Sequence, residues 1–175
     1  LERIEGLKDG ILSGQFPVRI EPKWLYDHGY ASGIFYCNLF LLFPALLRIL
    51  GFPVTFSYNL YCIAVNLATA WVAYFCFRKI FRDPKVGLTC SALYTLSLNR
   101  IYKLCDVAVV GEYTALLFLP LVAYGLYRVF EEDPKKESYR KAWIPLAAGL
   151  AGMIQSHVLT CEITAFVILE FCLVH

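Results

Sequence analysis

The sequence predicts an all-α, polytopic membrane helix bundle, and three observations carry that prediction. Of its 175 residues, 59% are hydrophobic and only 17% charged, at a mean hydropathy of +0.58. Apolar runs close to the length of a bilayer recur along the chain, and the basic residues between them collect in two loops. The net charge of +2 gives no general attraction to polyanions, so no nucleic-acid partner is expected.

Leu1, Ile4, Leu7, Ile11 and Leu12 fall on one helical face, with Glu2, Arg3, Glu5, Lys8 and Asp9 on the others. This spacing predicts an amphipathic helix lying at a membrane surface, ended by Gly14 and Pro17. The stretch from Gly14 to Tyr36 mixes Pro17, Pro22, Gly29 and Gly33 with Trp24, Tyr26, Tyr30 and Tyr36. It reads as an ordered interfacial loop whose aromatic residues sit at headgroup depth and which forms the wall of a wet site.

Residues 34–50 are apolar but interrupted by Asn38, Pro44 and Arg48. Length alone allows a span, whereas Pro44 and Arg48 favour a half-buried surface helix. Better spans are expected over Tyr58–Phe77, Val86 to about Tyr102, Tyr113–Phe130 and Trp143–Leu159, with a truncated fifth from Cys161. Residues 1–57 then form an outer loop with juxtamembrane helices, and 58–175 about five spans. Because the chain opens on Leu1 rather than Met and closes on EFCLVH, a fragment of a larger membrane protein is expected.

Orientation follows from Arg78, Lys79, Arg82 and Lys85 in one loop and Arg128, Lys135, Lys136, Arg140 and Lys141 in another. Both are expected in the cytoplasm, which leaves the opening loop, Asn99–Glu112 and His157–Thr160 on the outer face. Seven cysteines without C-x-x-C spacing read as buried apolar side chains, and three dispersed histidines as no zinc site. The pairs Ala147/Ala151 and Ala148/Gly152 have the small-xxx-small spacing that packs membrane helices.

The outer loops gather Arg19, Lys23, Asp27 and His28; Arg100, Lys103, Asp106 and Glu112; and His157, Thr160 and Glu162. Carboxylates beside cations at a membrane surface suit a reaction on a lipid carrier in which a neutral hydroxyl attacks and an anionic leaving group departs. A base takes the hydroxyl proton and Arg or Lys steadies the phosphate. Glu112 is the catalytic candidate, with an N-terminal capping carboxylate as its structural alternative. Arg100, Lys103, Arg19, His157, Asp27 and His28 are candidates for substrate binding. The two histidines also suit ordinary interfacial positions, and Arg100 and Lys103 suit side chains reaching for headgroups. Glu170, about 15 Å into the last segment if that starts near Cys161, would lie at mid-membrane, where an ionisable group points to function.

The blocks RIEGLKDGILSGQFPVRI, GYASGIFY, FPALLRILGF, SALYTLSLNRIYK, VVGEYTALLFLPLVAYGLYRVF and IQSHVLT together resemble bacterial multi-pass membrane proteins of the 6-pyruvoyl-tetrahydropterin synthase-related type. Those are in turn similar to GT-C-type glycosyltransferases. The resemblance implies a GT-C-like bundle in the bacterial cytoplasmic membrane, transferring a sugar from a polyprenyl-phosphate carrier to an acceptor at the outer face, in cell-envelope glycan assembly. Its partners would be the lipid-linked sugar donor and membrane lipids. It implies Glu112, in GEY, as an acidic residue near the site, with Arg100 beside it; a further catalytic carboxylate would lie upstream of Leu1. The site would open between the opening loop and the Arg100–Glu112 loop. Two carboxylates could hold a divalent cation, and the metal is left open. Leu98 and Asn99 depart from the family's usual Pro before its aromatic-Arg pair.

Two other classes remain open on the residues themselves. One is a transporter or flippase with a path past Glu170, Pro120 and Pro145, although no inverted repeat accompanies it. The other is a structural membrane subunit without catalysis.

Overall fold

The computed structural model describes residues 1–174, and among these every regular element is helical. Helices α1 (Glu2–Leu12), α2 (Ser32–Phe35), α3 (Leu42–Ile49) and α4 (Val54–Phe81) are followed by α5 (Pro84–Thr95), α6 (Leu98–Cys105) and α7 (Val110–Ala115). Then come α8 (Leu119–Glu131), a 3-10 turn (Glu137–Lys141), α9 (Trp143–Ile154) and α10 (Val158–Val174). The backbone forms two compact units, Leu1–Ala64 and the remainder from Val65, which share the length of α4.

Two helical stretches are long and apolar enough to cross a membrane, Val54–Phe81 and Val110–Glu131. At 28 and 22 residues they reach about 42 and 33 Å, against a hydrocarbon core of about 30 Å. Leu67 and Trp71, about two-thirds or more exposed on α4, give it an apolar outer surface. The segments expected over Tyr58–Phe77 and Tyr113–Phe130 fall within these stretches.

The other expected segments are helical but divided. Val86–Tyr102 is interrupted at Leu96 and Ser97, separating α5 from α6. Trp143–Leu159 breaks at Gln155–His157, so the final helix starts at Val158 rather than Cys161. There the His157 ring Nδ1 accepts from the Thr160 amide at 3.3 Å and opens the new helix. Residues 34–50 hold only α2 and α3, four and eight residues long, so no continuous span forms there.

In the first unit, α1 forms as its periodicity predicts and packs on α3, with the middle of its apolar face turned inward and Leu1 and Leu12 at its ends exposed. Ile4 and Leu7 are buried. Gly6 and Gly10 let the 18–21 strip press against the helix, since a Cβ on Gly6 would lie 2.5 Å from Glu21 Oε2 and one on Gly10 2.5 Å from Val18 Cγ1. Ile4 and Leu7 of the expected face therefore serve a protein interface. A loop pinned by the antiparallel bridge Glu21↔Tyr30 follows, with Leu25, Tyr26 and Asp27 all at positive φ; the Phe16–Pro17 peptide is cis.

In the second unit, Asp83 caps α5 by accepting from the amides of Lys85 (2.6 Å) and Val86 (3.2 Å). Ser91 Oγ donates to the Ala70 carbonyl at 2.8 Å, tying α5 to α4. Helices α8 and α9 pack through Gly125, Gly149 and Gly152; a Cβ on Gly125 would sit 2.3 Å from the Leu146 nitrogen. Of the expected pairs Ala147/Ala151 and Ala148/Gly152, the three alanines are exposed, while Gly152 packs against Phe118. Gly149, one position along, supplies the contact because it presents bare backbone to Val122. Among the described cysteines none is bonded to another; Cys76 is buried, while Cys105 and Cys172 are exposed rather than buried.

Candidate functional site

The second unit gathers two of the three expected outer segments, Asn99–Glu112 and His157–Thr160. Helix α6 packs against α7, and α7 also touches α9 and α10. Gly111 makes the last approach possible: a Cβ there would meet the Ser156 carbonyl at 2.8 Å and His157 Cδ2 at 3.4 Å. Arg100 and Lys103, one turn apart on α6, Glu112 in the first turn of α7, and His157 with Thr160 at the start of α10 therefore share one region.

Lys103 Nζ donates to the Glu112 carboxylate, with the two side chains 18% and 30% exposed. Glu112 thus pairs with a cation, and no side chain caps α7 at its N-terminus. His157 Nδ1 and Thr160 Oγ1 lie 2.7 Å apart.

Arg100 is 2% exposed. One of its nitrogens, Nη2, donates to Asn66 Oδ1 at 3.2 Å, and the guanidinium lies 5.1 Å from the Tyr113 ring centroid and 5.9 Å from that of Tyr94. Tyr94 is held in place by donating its hydroxyl proton to the Leu116 carbonyl at 2.6 Å. The remaining nitrogens, Nε and Nη1, are buried without a hydrogen-bond partner. No carboxylate pairs with Arg100 among the described residues. Arg100 is therefore no exposed arginine reaching for headgroups.

Asn66, Tyr94 and Tyr113 were not singled out by the sequence patterns. Asn66 had a legible signal, being a polar residue in the middle of the apolar run IAVNLATA. The two tyrosines looked like any aromatic residue of a membrane helix, and only the fold shows that their rings flank one guanidinium.

The other expected residues lie elsewhere. Arg19, Asp27 and His28 belong to the first unit and are exposed. The Arg19 amide donates to Gln15 Oε1 at 2.5 Å, and Asp27 stands in the left-handed turn at φ 66°. Asp106 ends α6, and Glu162 and Glu170 are exposed on α10, which buries none of its described residues. No group of three or more His, Cys, Asp or Glu among the described residues is arranged to hold a metal ion.

The first unit holds a buried polar cluster that the sequence did not mark. Glu21 is fully buried, accepts from Ser32 Oγ, and leaves Oε2 without a partner. Burial pushes its pKa up, against the pull of the Ser32 hydroxyl and the Arg3 charge. Arg3 donates to Asn38 Oδ1 at 2.6 Å and lies 5.2 Å from the Tyr36 ring centroid. Nearby on α1, burial opposes ionisation of Glu5, but Lys8 and Arg48 outweigh it and hold the carboxyl below its ordinary value. Asp9 is lowered likewise, by Lys23 and Lys8.

No family model matches the sequence, and no solved structure matches it. An uncharacterized protein of Lactococcus lactis subsp. cremoris (strain MG1363) is 27% identical over 177 residues, a match that takes in 99% of this chain. The chain spans about a quarter, 27%, of that relative's length.

Proposed function

We propose that the chain is part of a multi-pass membrane protein with a GT-C-like arrangement, which transfers a sugar from a polyprenyl-phosphate carrier to an acceptor hydroxyl. The observation that supports it most is Arg100. A buried cation with no carboxylate partner costs several kcal/mol, and the Nε and Nη1 donors, which lack a hydrogen-bond partner, would gain from an anionic ligand such as a phosphate. Lys103 pairs with Glu112, whereas Arg100 forms no ion pair among the described residues, so its charge is left for an anionic ligand.

In this reading Arg100 holds the carrier phosphate and Lys103 turns from Glu112 to the same phosphate when it arrives. Glu112 is then free to take the acceptor's proton as the acceptor oxygen bonds to the sugar's anomeric carbon. The bond from that carbon to the phosphate oxygen breaks, and the phosphate leaves as an anion steadied by both cations. His157 and Thr160 line the same region and offer hydrogen bonds to sugar hydroxyls.

The test is transfer from radiolabelled polyprenyl-phosphate-sugars by the full-length protein in nanodiscs. Arg100→Gln is expected to lower transfer at least tenfold at unchanged expression, with Arg100→Lys recovering only part because a compact ammonium replaces the planar guanidinium between the tyrosine rings. Equal transfer by wild type and Arg100→Gln would remove the phosphate role and with it the support for this reading.

A further inference from the structure

The first unit contains a cleft of about 460 Å³ between α1 and the 21–30 loop. One wall is the polar face of α1, where Glu2, Glu5 and Asp9 recur at helical spacing around Gly6; the other is Lys23 and Trp24. Trp24 is fixed by stacking on Tyr30, with ring centroids 5.3 Å apart and planes 18° from parallel. Its setting is thus rigid before anything binds.

The charges in this cleft are largely compensated. Glu5 is shared by Lys8 and Arg48, and Asp9 by Lys8 (3.4 Å) and Lys23 (2.9 Å). A strongly charged ligand would disrupt those pairs, whereas a neutral one bearing several hydroxyls can donate to the carboxylates and accept from Lys23 without displacing them. A flat aromatic wall beside a compact set of donors and acceptors suits an apolar ring face with polar edges. Behind the wall stands a second feature: Glu21 Oε2, buried and unpartnered, is the atom nearest to where a Gly6 Cβ would be, at 2.5 Å. Gly6 thus lines the cleft and also touches this orphaned acceptor.

We infer that this cleft is a binding site for a neutral sugar ring, stacked on Trp24 and hydrogen-bonded along the Glu2–Glu5–Asp9 face. Its role as the acceptor subsite rests on the transferase reading above; its affinity for sugar does not, and binding is measured with no donor lipid present.

The experiment uses the full-length protein in nanodiscs with Trp71 and Trp143 replaced by Phe, so that among the residues of this chain only Trp24 retains an indole. Saturation-transfer NMR with methyl glucoside, methyl N-acetylglucosaminide and maltotriose is run beside tetramethylammonium as a cationic control. A sugar is expected to bind saturably with a Kd of roughly millimolar, as suits a ligand of so few atoms. The signal should survive Trp24→Phe, which keeps a stacking ring, and fall at least tenfold in Trp24→Leu and Glu2→Gln. Gly6→Ala, whose methyl meets the Glu21 carboxylate, should weaken it as well. Absence of a saturable response to all three sugars in a protein of native helical content overturns the proposal, as does stronger binding of tetramethylammonium than of any sugar. Sugar binding that persists in Arg100→Gln, where transfer is lost, separates this site from the phosphate site.

Discussion

Lys103 on α6 and Glu112 on α7 form an ion pair across the turn that joins their helices. The pair keeps the candidate base beside the candidate phosphate cation, so each occupies the other until substrate arrives. Glu112→Gln in the full-length protein is expected to lower sugar transfer at least tenfold while expression holds. Unchanged transfer would take Glu112 out of the site.

The same pair separates structure from chemistry. As both groups are partly shielded, either single substitution should cost on the order of 1 kcal/mol of stability. The reversed pair, Lys103→Glu with Glu112→Lys, should recover most of that in a thermal melt. Transfer should not return, because the carboxylate then stands on the wrong helix. A reversed pair that transfers sugar at the wild-type rate would show that only the salt bridge matters.

Glu21 gives a pH dependence with a defined sign. Its folded pKa is raised by burial, so the folded chain binds more protons than the unfolded one above about pH 4.5, the unshifted value for a Glu. Stability from this group therefore falls as pH rises from there through the folded pKa. Glu5 and Asp9, held low, act in the opposite sense and lose stability as pH falls through their folded values. Melting points of wild type and Glu21→Gln across pH 4 to 8 isolate the Glu21 part: the variant should gain on wild type as pH rises. A constant difference would mean that Glu21 titrates as in the unfolded chain.

Gly125 sets the distance between α8 and α9. A Cβ there would fall 2.3 Å from Leu146 N and 2.6 Å from Leu146 Cα, atoms that cannot move without shifting the helix. Gly125→Val is expected to destabilise the protein by roughly 1–3 kcal/mol or more, read as a lower melting point in detergent. Ala148→Val on the exposed side of α9 should leave it within about 0.5 kcal/mol.

Capping of α5 is a local test. Asp83→Ala removes the acceptor for two backbone amides and should cost about 1 kcal/mol, whereas Asp83→Asn should retain most of it. Equal melting points for wild type and Asp83→Ala would show that neighbouring helices already fix that terminus.

The helical class, the apolar runs and the positions of α1 and α4 followed from the sequence alone, because composition and periodicity act over a few residues and need no partner. Glu112, Lys103, Arg100 and His157 were legible as polar residues of the loops between apolar runs, where charge collects. What surrounds each was decided by tertiary structure. Whether the apolar face of α1 met lipid or protein depended on Gly6 and Gly10 allowing the 18–21 strip to approach. The break after Ile154 is accompanied by local hydrogen bonding by the Ser156 and His157 side chains, which hydropathy averages away. That Arg100 lies between Tyr94 and Tyr113, and that Glu21 lost its water, required segments distant in sequence to close around them, since burial belongs to the packed chain and not to any one stretch of it.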